Sequence, residues 1–330
     1  MTDQPTTASS STSATVAQDA RRVWSALEES VGRAMVGAVE ALRLLTAALL
    51  VNGHVLVEDV PGVGKTLLAK AFSRSLGLSF ARVQGTPDLL PSDVTGSSIL
   101  DDGEFRFVPG PVFNNVVLFD EINRATPRTQ SALLEAMQER QVSVDGITRP
   151  LPRPFVVLAT QNPIELEGTF ALPEAQLDRF LVRVGLGYLE EVQERQILRR
   201  LRGTDDLLDQ VQPVIEATRL MDLTVAVRSV LVADDVEGYL LSLVRATRDH
   251  RDVRLGASPR SAVALYRCSQ AWAALDGRTF VLPDDVRHLF QPVIAHRLVL
   301  DLDRELRGAT RDQVLADVLD ATPVPLAESA

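Results

Sequence analysis

Nine consecutive residues, Glu58-Asp59-Val60-Pro61-Gly62-Val63-Gly64-Lys65-Thr66, constrain this chain more than any other segment. The apolar run His54-Val55-Leu56-Val57 precedes them, and Leu67-Leu68-Ala69-Lys70-Ala71-Phe72 follows with helical periodicity. Strand, glycine loop and helix, in that order, are the setting a phosphate-binding loop needs. Gly62 and Gly64 can take the backbone conformations that turn successive N–H groups into a concave nest. The helix start behind them adds partial positive charge. In such a loop Lys65 reaches the β- and γ-phosphates and the Thr66 hydroxyl holds Mg2+, which makes Gly62, Val63, Gly64, Lys65, Thr66 and Leu67 the nucleotide-binding set. The general pattern G-x-x-x-x-G-K-[ST] has glycine where Asp59 stands. Taken alone, the segment also suits a glycine loop before an ordinary helix.

The rest of the composition narrows the function classes. At 330 residues the chain holds one large domain or two modest ones. Its 45 % hydrophobic and 24 % charged content is that of an ordinary globular protein. The formal charge is −10 and no run of five basic residues occurs, so there is no clear footprint for sequence-independent nucleic-acid binding. Cys268, the single cysteine, lies in an apolar helical pattern and reads as a small buried hydrophobe, with no disulfide possible within the chain. The four histidines are scattered without metal-ligand spacing. The Ser/Thr-rich N-terminus lacks the basic and apolar regions of a signal peptide. The longest apolar run, near Leu44 to Val51, is too short to span a bilayer, and a cytoplasmic location is expected.

Periodicity divides the chain into three stretches. Residues 1–15 offer little to bury and are expected to be disordered. Residues 16–188 begin with two helical segments, then present five short β-rich runs: 55–57, 80–83, 116–119, 155–159 and 181–184. Helical stretches separate them, which predicts an α/β core with a parallel five-stranded sheet and helices on both faces. Asp102-Gly103 and Asp145-Gly146, each between alternating apolar and polar residues, predict two hairpin inserts. From 189 to 330 the strands stop and the pattern predicts a small all-α domain. Proline starts two of its helices, at Pro259 and Pro283, and the polar residues 202–212 read as a loose linker.

Three further segments carry chemistry. Val116-Val117-Leu118-Phe119-Asp120-Glu121 is a buried strand ending in two carboxylates, and parallel sheets bind ligands at the carboxyl ends of their strands. Beside a phosphate loop, Asp120 faces the metal held by Thr66, and Glu121 can polarise a water for attack on the γ-phosphate. An apolar run ending in Asp-Glu is by itself a common strand cap. Asn162, at the tip of Phe155-Val156-Val157-Leu158-Ala159-Thr160-Gln161-Asn162-Pro163, can hydrogen-bond the attacking water or the γ-phosphate; otherwise it is a turn asparagine. Arg179, after a short helix, and Arg260, in the first turn behind Ser258-Pro259, are candidates to stabilise transition-state charge, and each also reads as a surface salt bridge.

Together with Thr86-Pro87-Asp88-Leu89-Leu90-Pro91-Ser92-Asp93-Val94-Thr95-Gly96, Phe119-Asp120-Glu121-Ile122-Asn123-Arg124-Ala125, Leu172-Pro173-Glu174-Ala175-Gln176-Leu177-Asp178-Arg179-Phe180 and Gly256-Ala257-Ser258-Pro259-Arg260, these segments resemble the AAA+ ATPases and, within them, the MoxR family. The likeness runs from about Val36 to Ala295, departing at Asp59 and at Gly85, where the family usually has an aromatic. It implies an AAA+ core with an α-helical lid, ATP and Mg2+ as cofactors, and ATP hydrolysis. It implies Walker A roles for Lys65 and Thr66, Walker B roles for Asp120 and Glu121, and sensor roles for Asn162 and Arg260. Arg179 resembles the finger that reaches the neighbouring subunit's ATP. The resemblance also implies a ring of identical subunits, usually six, acting like a chaperone on a protein partner, often one with a von Willebrand factor A domain. Two other functions stay open at this point: a nucleotide-gated scaffold with slow hydrolysis, and a DNA-directed motor.

Overall fold

The computed structural model describes residues 8–162, 168–200 and 206–325, with side chains from residue 15 onward. Residues 25–221 form one compact unit; the described residues up to Trp24 join those from Asp222 onward in a second. Helix α1 (Ala8–Ala34) contributes to both, and α2 (Val39–Leu50) buries nearly its whole length in the first.

In the first unit β1 (Val55–Glu58) leads into α3 (Lys65–Ser75), and β2 (Phe80–Gln84) into the short α4 (Pro91–Thr95). The hairpin β3 (Gly96–Asp101) with β4 (Glu104–Pro109) comes before β5 (Val116–Asp120) and α5 (Pro127–Glu139). A second hairpin pairs β6 (Gln141–Val144) with β7 (Ile147–Pro150). Then follow β8 (Val156–Gln161), α6 (Glu174–Leu177), β9 (Val182–Val184) and α7 (Glu191–Arg200). The hairpins turn at the expected Asp-Gly pairs, all four residues having positive φ, as such two-residue turns require.

Five strands form one parallel sheet in the order β2-β5-β8-β1-β9, with helices flanking it. Val116, Val117, Leu118 and Phe119 are all at most 1 % exposed. Because successive strand residues point to opposite faces, both faces are covered, as the continuous apolar runs require. On one face Leu56, Phe119 and Val157 pack with Leu133 and Met137 of α5. His54 fastens this layer: its Nδ1 accepts from Val157 N–H and its Nε2 lies 3.0 Å from Met137 O. Since the Val157 amide can only donate, the ring is the neutral Nε2–H tautomer.

The second unit is helical as expected, with α8 (Ala217–Ala226) reaching it and α9 (Asp234–Asp249), α10 (Pro259–Leu275), α11 (Pro283–Ile294), α12 (Leu302–Leu306) and α13 (Arg311–Ala321) following. It also holds a two-stranded antiparallel ribbon, β10 (Val253–Leu255) with β11 (Val299–Leu300), too short to leave an alternation in the sequence. Cys268 is fully buried, and burial pushes its thiol up to about 12. The Arg278 guanidinium grips Asp285 with two 2.6 Å hydrogen bonds and Asp276 with a third, and these carboxylates raise its pKa.

Two boundaries differ from the sequence expectation. Helix α1 starts at Ala8, inside the stretch expected to be disordered, while residues 1–7 lie outside the described residues. Ala17, Ala20, Trp24, Leu27 and Val31 form its buried stripe, and a nucleated helix extends at little cost. The units divide near residue 221 rather than 188. The segment after β9 stays with the sheet unit because Arg200 donates to Gly32 O and Arg33 O, Ser30 donates to Gln212 O, and Val214 N–H donates to Ser75 O. Of the expected linker, residues 202–205 lie outside the described residues; Leu207–Gln210 forms a 3-10 turn, and Val211 is buried.

Candidate nucleotide site

The strand order brings three loops to one edge of the sheet. β8 lies between β1 and β5, so the carboxyl ends of these neighbours emit the Lys65 loop, Asn162 and the Asp120-Glu121 pair side by side. This is where parallel sheets bind ligands.

In the loop, Gly62 and Gly64 have φ of 86° and 94°, which explains glycine at both positions. Gly64 is the N-cap of α3, and no side chain caps that helix, so its first amides are left to an anion. Lys65 Nζ donates to Asp59 O at 3.0 Å, folded onto its own loop. The backbone at Asp59 is not left-handed, so nothing in its conformation demands the usual glycine. Its buried carboxylate instead accepts from Val60 N–H on one oxygen and from Leu186 and Gly187 N–H on the other.

The two acidic residues are held by one linked set of hydrogen bonds. Thr160 Oγ1 donates to Asp120 Oδ1 at 2.6 Å and accepts from Glu121 N–H at 2.8 Å. Arg82 Nη2 donates to Asp120 Oδ2 and to Gln84 Oε1, each at 2.8 Å, while Gln84 Nε2 donates to Glu121 Oε2 at 2.8 Å. Arg124 Nη1 lies 3.3 Å from the same Glu121 oxygen. Glu121 has φ 56° and ψ 55°, a left-handed conformation that costs energy for a residue with a Cβ and that clusters at functional sites. Gly85 explains itself here: a Cβ would stand 2.1 Å from Glu121 O, because Gly85 N–H donates to Asp120 O at 2.7 Å. The aromatic usual at this position has no room.

Asn162 is buried directly after β8; Pro163 lies outside the described residues. Arg179 is half-buried in the turn between α6 and β9. Arg260 is exposed in the first turn of α10, in the second compact unit, behind the Ser258 cap that accepts from Ser261 N–H. Sequence reasoning missed Arg82, Gln84 and Thr160. Arg82 and Gln84, two apart on a strand and therefore on one face, left a readable signal; Thr160, inside an apolar run, left little. It also missed an apolar cleft of about 590 Å³ beside the phosphate loop, lined by Met35, Val36, Gly62, Gly64, Tyr188 and Leu189 among others. Its size and lining suit a flat base. Thr66 and Asp120 supply hydroxyl and carboxylate oxygens, the hard donors Mg2+ takes together with phosphate and water.

A family model described as the ATPase family associated with various cellular activities (AAA) matches residues 54–182, and one described as the AAA lid domain matches residues 245–318. The chaperone MoxR1 of Mycobacterium tuberculosis is 40 % identical over 306 residues, covering 89 % of this chain and 80 % of its own. Protein MoxR of Methylorubrum extorquens is 36 % identical over 318 residues, covering 89 % and 92 %.

The chain belongs to the MoxR family of AAA+ ATPases.

Its fold agrees with that membership: a crystal structure from Cytophaga hutchinsonii, assigned as an ATPase, superposes with a TM-score of 0.88 at 36 % identity, covering 94 % of this chain and 97 % of the other. The uncharacterised protein YeaC of Bacillus subtilis is 45 % identical over 304 residues, covering 92 % and 95 %. Lys65, Thr66, Asp120, Glu121, Asn162 and Arg179 fall within the AAA match, and Arg260 within the lid match. Among the described residues, no helix of this MoxR-family chain is long and apolar enough to cross a membrane.

Proposed function

We propose that this chain hydrolyses ATP with Mg2+, as one subunit of a cytoplasmic ring, and uses the cycle to remodel a protein partner. The observation that carries the chemistry is the meeting of three strand ends: the Lys65 loop, Asn162, and the Asp120-Glu121 pair. Lys65, with the amides of Gly62, Val63, Gly64, Thr66 and Leu67, binds the phosphates, and the apolar cleft takes the base. Mg2+, held by Thr66 and Asp120, would neutralise phosphate charge. Glu121 orients the attacking water and accepts its proton, and Asn162 fixes that water against the γ-phosphate. Arg179, supplied to the neighbouring subunit, and Arg260 stabilise the charge that develops on transfer. Remodelling of a protein is supported by the name chaperone borne by the Mycobacterium relative, and a partner with a von Willebrand factor A domain by the family resemblance.

The test is ATP turnover per subunit as protein concentration rises, with Glu121→Gln as control. Specific activity that climbs with concentration and vanishes in the control supports sites completed between subunits. No turnover at any concentration, with ATP bound, refutes autonomous hydrolysis and favours the nucleotide-gated scaffold.

A further inference from the structure

Asp59 is the residue at which this phosphate loop departs from the general pattern, and its contacts reach well beyond the loop. The pairing of β1 with β9 ends at Val57 opposite Val184. Past that point the chains stay joined through side chains. Glu58 reaches back to Arg183 at 3.0 Å, and the Asp59 carboxylate accepts from Leu186 and Gly187 N–H. The other Asp59 oxygen caps Val60 N–H at 2.8 Å, inside the phosphate loop, while the Asp59 carbonyl receives Lys65 Nζ. Gly187, Tyr188 and Leu189 line the same apolar cleft as Gly62 and Gly64. Only 8 % of Asp59 is exposed, so these bonds are sheltered from water, and hydrogen bonds to a charged acceptor are the stronger kind.

We propose that Asp59 is a positioning residue that ties the phosphate loop to the wall of the base cleft, so that a nucleotide's base and its phosphates are recognised as one unit. The inference rests on the reading of this cleft and loop as the nucleotide site. Physically, a loop and a wall that move independently must each be ordered when a ligand arrives, and a ligand that touches both bears both costs. One carboxylate bonded to both removes one of them. Its contribution therefore appears with a ligand that spans loop and wall, and disappears with a ligand that touches the loop alone.

The experiment compares Mg-ATP with Mg-tripolyphosphate, which carries the phosphates without a base, by titration calorimetry on the full chain. Asp59→Gly installs the residue of the general pattern and deletes all three carboxylate bonds. It is expected to weaken ATP roughly tenfold, the scale of a single lost hydrogen bond to a charged group, and to leave tripolyphosphate nearly unchanged. Asp59→Asn keeps one carbonyl oxygen and can serve the loop or the wall but not both, so its preference for ATP over tripolyphosphate should fall between the other two proteins. Equal weakening of both ligands, or of neither, by Asp59→Gly overturns the inference. Should that variant fail to fold, an Asp59→Asn preference equal to wild type overturns it instead. Wild type that binds ATP no better than tripolyphosphate refutes the nucleotide-site reading itself, a result separate from either outcome for Asp59.

Discussion

His54 makes the stability of the sheet unit depend on pH with a sign and size that follow from its surroundings. It is fully enclosed, and burial first, then the nearby Arg140 cation, lower its pKa from 6.5 to about 4, against a raising effect from the Met137 carbonyl. The unfolded chain therefore takes up the proton at a higher pH than the folded one. Below pH 6.5 protonation pulls toward the unfolded state, and stability is lost as pH falls from there toward 4; above 6.5 the contribution is fully present. The difference between 6.5 and about 4 corresponds to about 3 kcal/mol in total, of which about 2 kcal/mol is lost by pH 5. His54→Gln can keep a donor and an acceptor but does not titrate. The assay is hydrogen exchange of the β8 amides, corrected for intrinsic rates, at pH 8 and pH 5 in both proteins. Wild type should lose about 2 kcal/mol more protection than His54→Gln over that interval. Equal losses would refute the assignment of a buried neutral imidazole at this position.

Three further outcomes are expected. Gly85→Ala drives a Cβ to 2.1 Å from Glu121 O, a backbone atom that cannot step aside alone, so it should cost about 1–3 kcal/mol in urea unfolding and depress ATP turnover more than ATP binding. Arg278→Ala leaves the buried Asp285 carboxylate without its two short hydrogen bonds and should destabilise the helical unit by about 3–5 kcal/mol, read from its own melting transition. Arg179→Ala should bind ATP and fail to turn it over; mixing it with Lys65→Ala subunits should restore activity if Arg179 acts across the subunit boundary, and failure of every mixture counts against that role.

Elements whose cause lies within a few residues were legible in advance. The five strand runs, the Asp-Gly hairpin turns and the proline-started helices α10 and α11 all follow from local periodicity and local backbone preference. The start of α1 and the domain boundary were not: the first turns of α1 carry little apolar periodicity and extend a helix nucleated further on, and the attachment of Val211–Val214 depends on what those residues meet in space. For the candidate site, the loop, the carboxylate pair and Asn162 each carried its own strand-end signal. Thr160 did not, since a threonine inside an apolar run looks like any β-branched strand residue.

The amino-acid sequence by itself determined the kind of site this chain builds. Glycines at 62 and 64, a lysine and threonine at a helix start, and carboxylates at a strand tip have that chemistry in any fold that places them together. Only the tertiary structure decided how they are joined. The sheet order put β1 between β8 and β9, setting His54 against Val157, 103 residues away, and Asp59 against Leu186, 127 residues away. It also set Arg82 and Gln84 of an edge strand on the two carboxylates. Such contacts have no local signature because they arise from burying both faces of one sheet, a condition imposed on the chain as a whole.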